Sequence, residues 1–333
     1  MATASSKRIG SSAQLDTAFL IGESGVGTAF PLLQSFHANE AAASICLGLC
    51  DGTDQASAGD YGEALYALRG RANEGEPLPQ VILGLLHHHG QIAPQDDREA
   101  ARLFRLAAEQ GEPQGQYCLG LSYFSGRGVS ENDTEAANWF RRSAEQGLGS
   151  AQFYLGVMSY AGLGMAQDMP QAQKFFHLAA EQGHVRAQSL LGIMYLEGRD
   201  TPTNAAEARR WLQRAAHQGD LEAQFRLGLV SSADTQGATG DSGEALSWFR
   251  RAADGGHATA QLIMGISCRA GRDMPRDLVQ AYKWLILAAS REAPDENRNT
   301  AIHECETTAA QMTPAQMAEA RRLAQAWLEA RGS

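Results

Sequence analysis

One glycine returns every 36 residues along most of this chain: Gly48, Gly84, Gly120, Gly156, Gly192 and Gly228, then Gly265 after a step of 37. A second series, Gly75, Gly111, Gly147, Gly183 and Gly219, keeps the same period and slips by the same single residue at Gly256. One insertion in the loop-like stretch Ala233–Asp241 accounts for both slips. A fixed period of this size marks one supersecondary unit stacked on copies of itself, because a single unit cannot bury its own apolar face.

The two glycines have different jobs. The first lies inside runs such as Ala151-Gln-Phe-Tyr-Leu-Gly-Val-Met-Ser-Tyr160. A glycine inside a helix costs about 0.5–1 kcal/mol against alanine. Its recurrence predicts a compensating close approach by a neighbouring helix. The second follows runs such as Ala179-Ala-Glu-Gln-Gly183, which predicts a helix end in the left-handed conformation. Before each second glycine, apolar residues fall at helical spacing: Ala136, Trp139, Phe140, Ser143 and Ala144, then Ala172, Phe175, Phe176, Ala179 and Ala180, then Ala208, Trp211, Leu212, Ala215 and Ala216. Large and small side chains alternate, as interdigitating helices require. The loops Gly126–Asp133 and Gly162–Asp168 carry turn chemistry, and Pro170 suits the first turn of a helix. The reading is an all-α chain of about seven helix–turn–helix repeats.

The pattern Ala-Gln-x-x-Leu-Gly-x-x-Tyr-x-x-Gly-x-Gly-Val, followed by Ala-x-x-Trp-Phe-x-x-x-Ala-x-x-Gly, resembles the Sel-one-like repeat family, a relative of the tetratricopeptide repeats. Residues 115–147 match nearly every marker, and the resemblance runs from about Ala43 to Ser290. It departs in the first repeat, with Asp51 at the Tyr position, and in the sixth, with Ser231 there and no Gly-x-Gly-Val loop. The resemblance implies a right-handed α/α superhelical solenoid. The expected organisation is an N-terminal segment over 1–38, repeats over 39–290 and C-terminal capping helices over 291–333. In the last helix, Thr313 is the expected N-cap before Pro314, with Met317, Arg321, Ala324 and Leu328 on a stripe beside Ala320 and Trp327.

The resemblance also suggests where a partner would bind. In tetratricopeptide units the inner wall is lined by the first helix, at positions three before, one after and four after its glycine. Carried over, these are Tyr117, Leu121 and Phe124; Phe153, Val157 and Tyr160; Ser189, Ile193 and Leu196; Phe225, Leu229 and Ser232; and Leu262, Ile266 and Arg269. Tyr117, Leu121, Phe124, Phe153, Val157, Tyr160, Ile193, Leu196, Phe225 and Leu229 are the candidate partner-binding set, suited to a peptide or helix. The same side chains could instead pack between adjacent repeats. A regular column, Gln80, Gln116, Gln152, Gln188, Gln224 and Gln261, is expected to hydrogen-bond a neighbouring loop.

Chemistry is harder to find. Gly22–Ala29 resembles a phosphate-binding loop, but Thr28 follows Gly27 directly and the phosphate-contacting lysine is missing. His87, His88 and His89 are adjacent and cannot all face one metal, which favours a solvated loop end. Histidines near helix ends are explained by the macrodipole. No nucleophile or acid–base setting is recognisable, so neither catalysis nor a cofactor or metal is expected. A hydrolase or β-lactamase-like activity, claimed for some members of the resembled family, is the alternative.

A net charge of −10 argues against a nucleic-acid partner, and with so few lysines the positive charge sits mainly in arginine doublets such as Arg141-Arg142 and Arg250-Arg251. No apolar run is long enough to insert in a membrane. Five cysteines without repeat spacing fit reduced thiols. The expectation is a cytoplasmic, monomeric scaffold or adaptor for a protein or peptide, of bacterial type by its arginine and alanine usage. An export signal within the first 30 residues is the further alternative.

Overall fold

The computed structural model describes residues 58–90, 94–198, 203–235, 242–290 and 296–332. Among them are fifteen helices and no strand. The chain divides into two compact units, residues 1–184 and 185–333.

The N-terminal unit contains α1 (Ala58–Asn73), α2 (Pro77–His89), α3 (Asp97–Glu109), α4 (Pro113–Ser125), α5 (Asp133–Glu145), α6 (Gly149–Ala161) and α7 (Met169–Glu181). Each of α2, α4 and α6 packs along the helix that follows it, and that second helix packs in turn on the next first helix within the unit. The glycine inside each first helix lies at this contact. A Cβ on Gly120 would sit 2.7 Å from Phe140 Cε1, and one on Gly156 would sit 2.8 Å from Phe176 Cδ1. The compensation for glycine is therefore an aromatic ring seated against bare backbone. Phe140, Phe176 and the small residues Ala136, Ala172 and Ala179 are fully buried around it.

Capping sets the helix boundaries. Asp96, Asn132 and Asp168 accept backbone N–H groups at the starts of α3, α5 and α7. Pro77, Pro113 and Pro170 lie in the first turns of α2, α4 and α7, where a missing N–H costs nothing. Gly111, Gly147 and Gly183 have positive φ of 88–93°, as the second glycine series predicts.

The glutamine column is structural. Gln116 Nε2 donates to Ala108 O at 3.3 Å, and its Oε1 accepts from Gln146 Nε2 at 2.8 Å. Gln152 repeats this with Ala144 O at 3.3 Å and Gln182 at 2.8 Å, and Gln80 does so with Ala72 O and Gln110, both at 3.1 Å. Each amide ties the end of one second helix to the next first helix. Gln152→Leu is expected to leave the Ala144 carbonyl and the Gln182 amide without their partner and to cost about 2–3 kcal/mol. A urea melt would check this; an unchanged midpoint would sink the claim.

The C-terminal unit contains α8 (Val185–Glu197), α9 (Ala205–His217), α10 (Leu221–Thr235), α11 (Ser242–Asp254), α12 (Ala258–Ala270), α13 (Leu278–Ala289), α14 (Glu296–Ala309) and α15 (Pro314–Gly332). Helices α8 to α13 repeat the same pairing, with Leu212, Phe249 and Leu285 against Gly192, Gly228 and Gly265. The bond to a preceding carbonyl persists, from Gln224 to Ala216 at 3.1 Å and from Gln261 to Ala253 at 3.2 Å. The second amide persists from Gln218 Nε2 to Gln188 Oε1 at 2.8 Å and is lost at Gln224. Gly255 stands where Gln110, Gln146, Gln182 and Gln218 stand, and Gln224 Oε1 is buried without a partner.

Helix α14 packs on α13 and α12 as a further first helix would. Arg298 Nε donates to Ala289 O at 3.2 Å, taking over the bond that glutamine makes elsewhere. Helix α15 then packs on α13 rather than pairing along α14. The reason lies in α13, which has Ile286 and Leu287 where α5 and α11 carry arginine doublets. Ala324 is buried with Trp284 and Leu287, and Trp327 packs beside them. Thr313 caps α15 as expected, its hydroxyl accepting from Gln316 N at 3.3 Å while Thr313 N donates to Gln316 Oε1 at 2.9 Å. The expected stripe is corrected at two positions: Arg321 and Leu328 are exposed, and the inward track runs through buried Ala320 and Ala324 and half-buried Trp327. That track brings Arg331 to the end of α11, where its guanidinium donates to the carbonyls of Asp254 and Gly255.

Candidate functional site

In the N-terminal unit, helices α2, α4 and α6 form a layer without a single Asp, Glu, Lys or Arg. The candidate residues on it separate into two kinds. Leu121 and Phe124 are half-buried, with Leu85 of α2 equally open. Tyr117, Phe153, Val157 and Tyr160 are buried, Val157 completely. Tyr117 meets Phe140 and Tyr154 with ring centroids 5.9 and 5.8 Å apart. Phe153 stacks on His184 at 4.4 Å and 21°. These rings are part of the packing between repeats, so the expected ten-residue stripe is not one continuous open surface.

The C-terminal unit shows the same division. Ile193 is fully buried, Leu196 and Phe225 are half-buried, and Leu229 is exposed. Phe225 stacks on His257 at 4.5 Å. Ser189 donates to Asp220 Oδ1 at 2.9 Å, and Asp220 itself accepts from Ala223 N. Leu262 and Ile266 are covered by Ala301 and Cys305 of α14, and Arg269 pairs with Glu304 at 2.5 Å. The last repeat's first-helix face is thus occupied by the cap.

Titratable groups have structural explanations. Burial pushes the Cys118 thiol up to about 12 and raises Tyr117 well above its ordinary value. A thiol held so high stays protonated at neutral pH and makes a poor nucleophile. Burial also pushes Cys305 up to about 12. Glu222 is pulled the other way. Burial would raise its pKa, but hydrogen bonds from His257 Nε2 at 3.0 Å and Arg226 Nε at 2.6 Å outweigh it and hold the carboxylate low. The depressed value means that this triad stabilises the unit above the usual carboxylate range and is lost as pH falls through the lowered value.

His88 is more than a loop end. Its Nδ1 lies 2.6 Å from Asp97 Oδ1, and Arg127 Nη1 lies 3.4 Å from its Nε2, so the ring bridges successive loops. No group of three His, Cys, Asp or Glu among the described residues could hold a metal ion. No described helix is long and apolar enough to cross a membrane. The phosphate-loop-like stretch Gly22–Ala29 lies outside the described residues, as do residues 1–30 that the export reading concerns.

The Sel1 repeat model matches residues 80–112, 113–148, 149–184, 185–220, 221–257 and 258–292. The chain belongs to the Sel1 repeat family. Six repeats are matched, and the repeat expected around Gly48 lies before them, with its second helix as α1. Among solved structures, a Sel1 repeat protein from Oxalobacter formigenes is 27% identical with a TM-score of 0.63, covering 77% of this chain and 100% of its own. A protective antigen of uropathogenic Escherichia coli with an SLR fold is 24% identical with a TM-score of 0.31, covering 87% of this chain and 84% of its own. A putative Sel1 repeat protein from Klebsiella pneumoniae is 23% identical with a TM-score of 0.39, covering 63% of this chain and 99% of its own. No curated protein matches the chain.

Sequence reasoning missed the cap columns Asp96, Asn132, Asp168, Asn204 and Asp277, although they fall at the same position of their repeats. It also missed that burial would divide the first-helix stripe, because the pattern gives periodicity and not depth.

Proposed function

We propose that this Sel1 repeat protein is a non-enzymatic scaffold or adaptor that binds a protein or peptide on a first-helix face. The observation that carries the reading is Leu121 and Phe124, which stay half-open in an uncharged layer where Tyr117, Phe153 and Tyr160 are buried. Apolar anchors in such a setting bind by desolvation and need no reacting group. Tyr117, Phe153, Val157 and Tyr160 support this face from beneath, while Ile193, Leu196, Phe225 and Leu229 form a smaller counterpart in the C-terminal unit. The protein works as a cytoplasmic monomer in this reading, consistent with free Cys118, Cys268 and Cys305.

A photo-crosslinking residue at position 124 is expected to capture the partner, and one at Arg141 on the second-helix layer is not. Leu121→Asp should abolish the crosslink while leaving the helical circular dichroism intact. Equal capture from both positions would overturn the assignment of the face. Turnover of a β-lactam by the purified protein would overturn the non-enzymatic reading.

A further inference from the structure

The N-terminal unit distributes its charge in a pattern that helix formation does not require. Between residues 58 and 184 there are 15 acidic and nine basic side chains, yet α2, α4 and α6 carry none of them. Most exposed cations, Arg102, Arg105, Arg141, Arg142 and Lys174 among them, lie on the second helices, and Arg127 stands in the loop after α4. Acidic side chains collect instead at both ends of the helix layer. At the ends of α3, α5 and α7 stand Glu109, Glu145 and Glu181, all exposed. At the opposite loops stand Asp96, Glu131 and Asp168, also exposed.

Stability explains only half of this arrangement. Asp96 and Asp168 are N-caps, where the helix dipole favours a negative charge. Glu109, Glu145 and Glu181 are the last residues of α3, α5 and α7, where the dipole opposes them. The last turn of α3 has no basic residue to offset this, while α5 has Arg142 there and His177 Nδ1 lies 3.9 Å from Glu181 Oε1 on α7. The glutamate nonetheless recurs at the same position of three successive second helices, exposed each time at the rim of the first-helix layer.

We infer that the face of α2 and α4 receives a cationic amphipathic helix of a partner protein, seated on Leu85, Leu121 and Phe124. The inference rests on the first-helix reading proposed above and specifies its partner. The dimensions agree: a first helix of 13 residues is about 20 Å long, and a docked helix is about 10–12 Å across with its side chains. A helix crossing the layer leaves about 4–5 Å on each side, a gap that Lys and Arg side chains span to reach the acidic rims. Its apolar face meets a floor with no charge to desolvate. An anionic helix of the same shape meets like charge on both sides.

The test uses the full-length protein and three fluorescent 18-residue helical peptides. They share one Leu/Ala face and differ in flanks of Lys/Arg, Gln or Glu. Anisotropy titration at 50 mM salt is expected to show the cationic peptide binding at least about tenfold tighter than the neutral one, with the anionic one weakest. Raising salt to about 300 mM should erase most of that difference. The combined variant Glu109→Gln, Glu145→Gln and Glu181→Gln should weaken the cationic peptide about tenfold and leave the neutral one unchanged. Phe124→Ser should weaken both. Equal binding of cationic and neutral peptides, with Phe124→Ser still weakening both, would overturn the charge inference and leave the face reading standing. Binding indifferent to Phe124→Ser in a folded variant would overturn both.

Discussion

Alanine in place of Gly128 is expected to destabilise the N-terminal unit by about 3–5 kcal/mol, more than most single substitutions in the chain. Gly128 has φ of +74°, and its Cβ would lie 1.8 Å from the carbonyl oxygen of Asp97. Two penalties therefore combine, the left-handed backbone and a collision with main chain that no rotamer can relieve. Gly111 separates them. It has φ of +89°, but nothing lies within 4 Å of the point a Cβ would occupy, so Gly111→Ala should incur only the conformational cost, about 1–2 kcal/mol. Urea denaturation of both variants beside wild type reads the difference directly. Equal shifts would show that the loop can move off α3, and that the second glycine of the Gly-x-Gly loop is kept for conformation alone.

Both glycine series were legible in the sequence because each answers a backbone requirement that recurs identically: a ring against Gly120, Gly156 and Gly228, and a positive φ at Gly111, Gly147 and Gly183. The glutamine column was legible as a structural hydrogen bond for the same reason. The candidate surface was only half legible. Leu121 and Val157 occupy the same repeat position, yet one is half-open and the other has no exposed surface. Exposure depends on which neighbours cover a position, and a period of 36 carries no information about neighbours. The C-terminal end shows the same limit. Residues 296–309 look hydrophilic throughout, but Ala301 and Thr308 give α14 just enough of a buried face to close the last repeat. Arg298 was invisible because it makes the glutamine's bond with a different side chain and from one residue past the glutamine position, which Asn297 holds.

The largest effect on the C-terminal unit is expected from the last helix. A chain ending at Met312 should lose on the order of 5 kcal/mol, because Trp284, Leu287 and Phe249 lose the helix that shares their cluster. A unit of this size then melts about 10–20 °C lower. The exposed patch should also drive association, since α13 has no arginine doublet to keep its outer face soluble. Ala324→Glu tests the same contact in the full-length chain: it places a carboxylate among Trp284, Leu287 and Ala253 and should cost about 3 kcal/mol. Arg331→Ala, which removes the bonds to the Asp254 and Gly255 carbonyls and the guanidinium's contact with the Trp327 ring on an exposed edge, should cost about 1 kcal/mol. Scanning calorimetry with light scattering on the three variants distinguishes them. If truncation left the melting temperature and the monomer unchanged, α15 would not be the cover that α13 requires, and the apolar face of Ile286 and Leu287 would need another explanation.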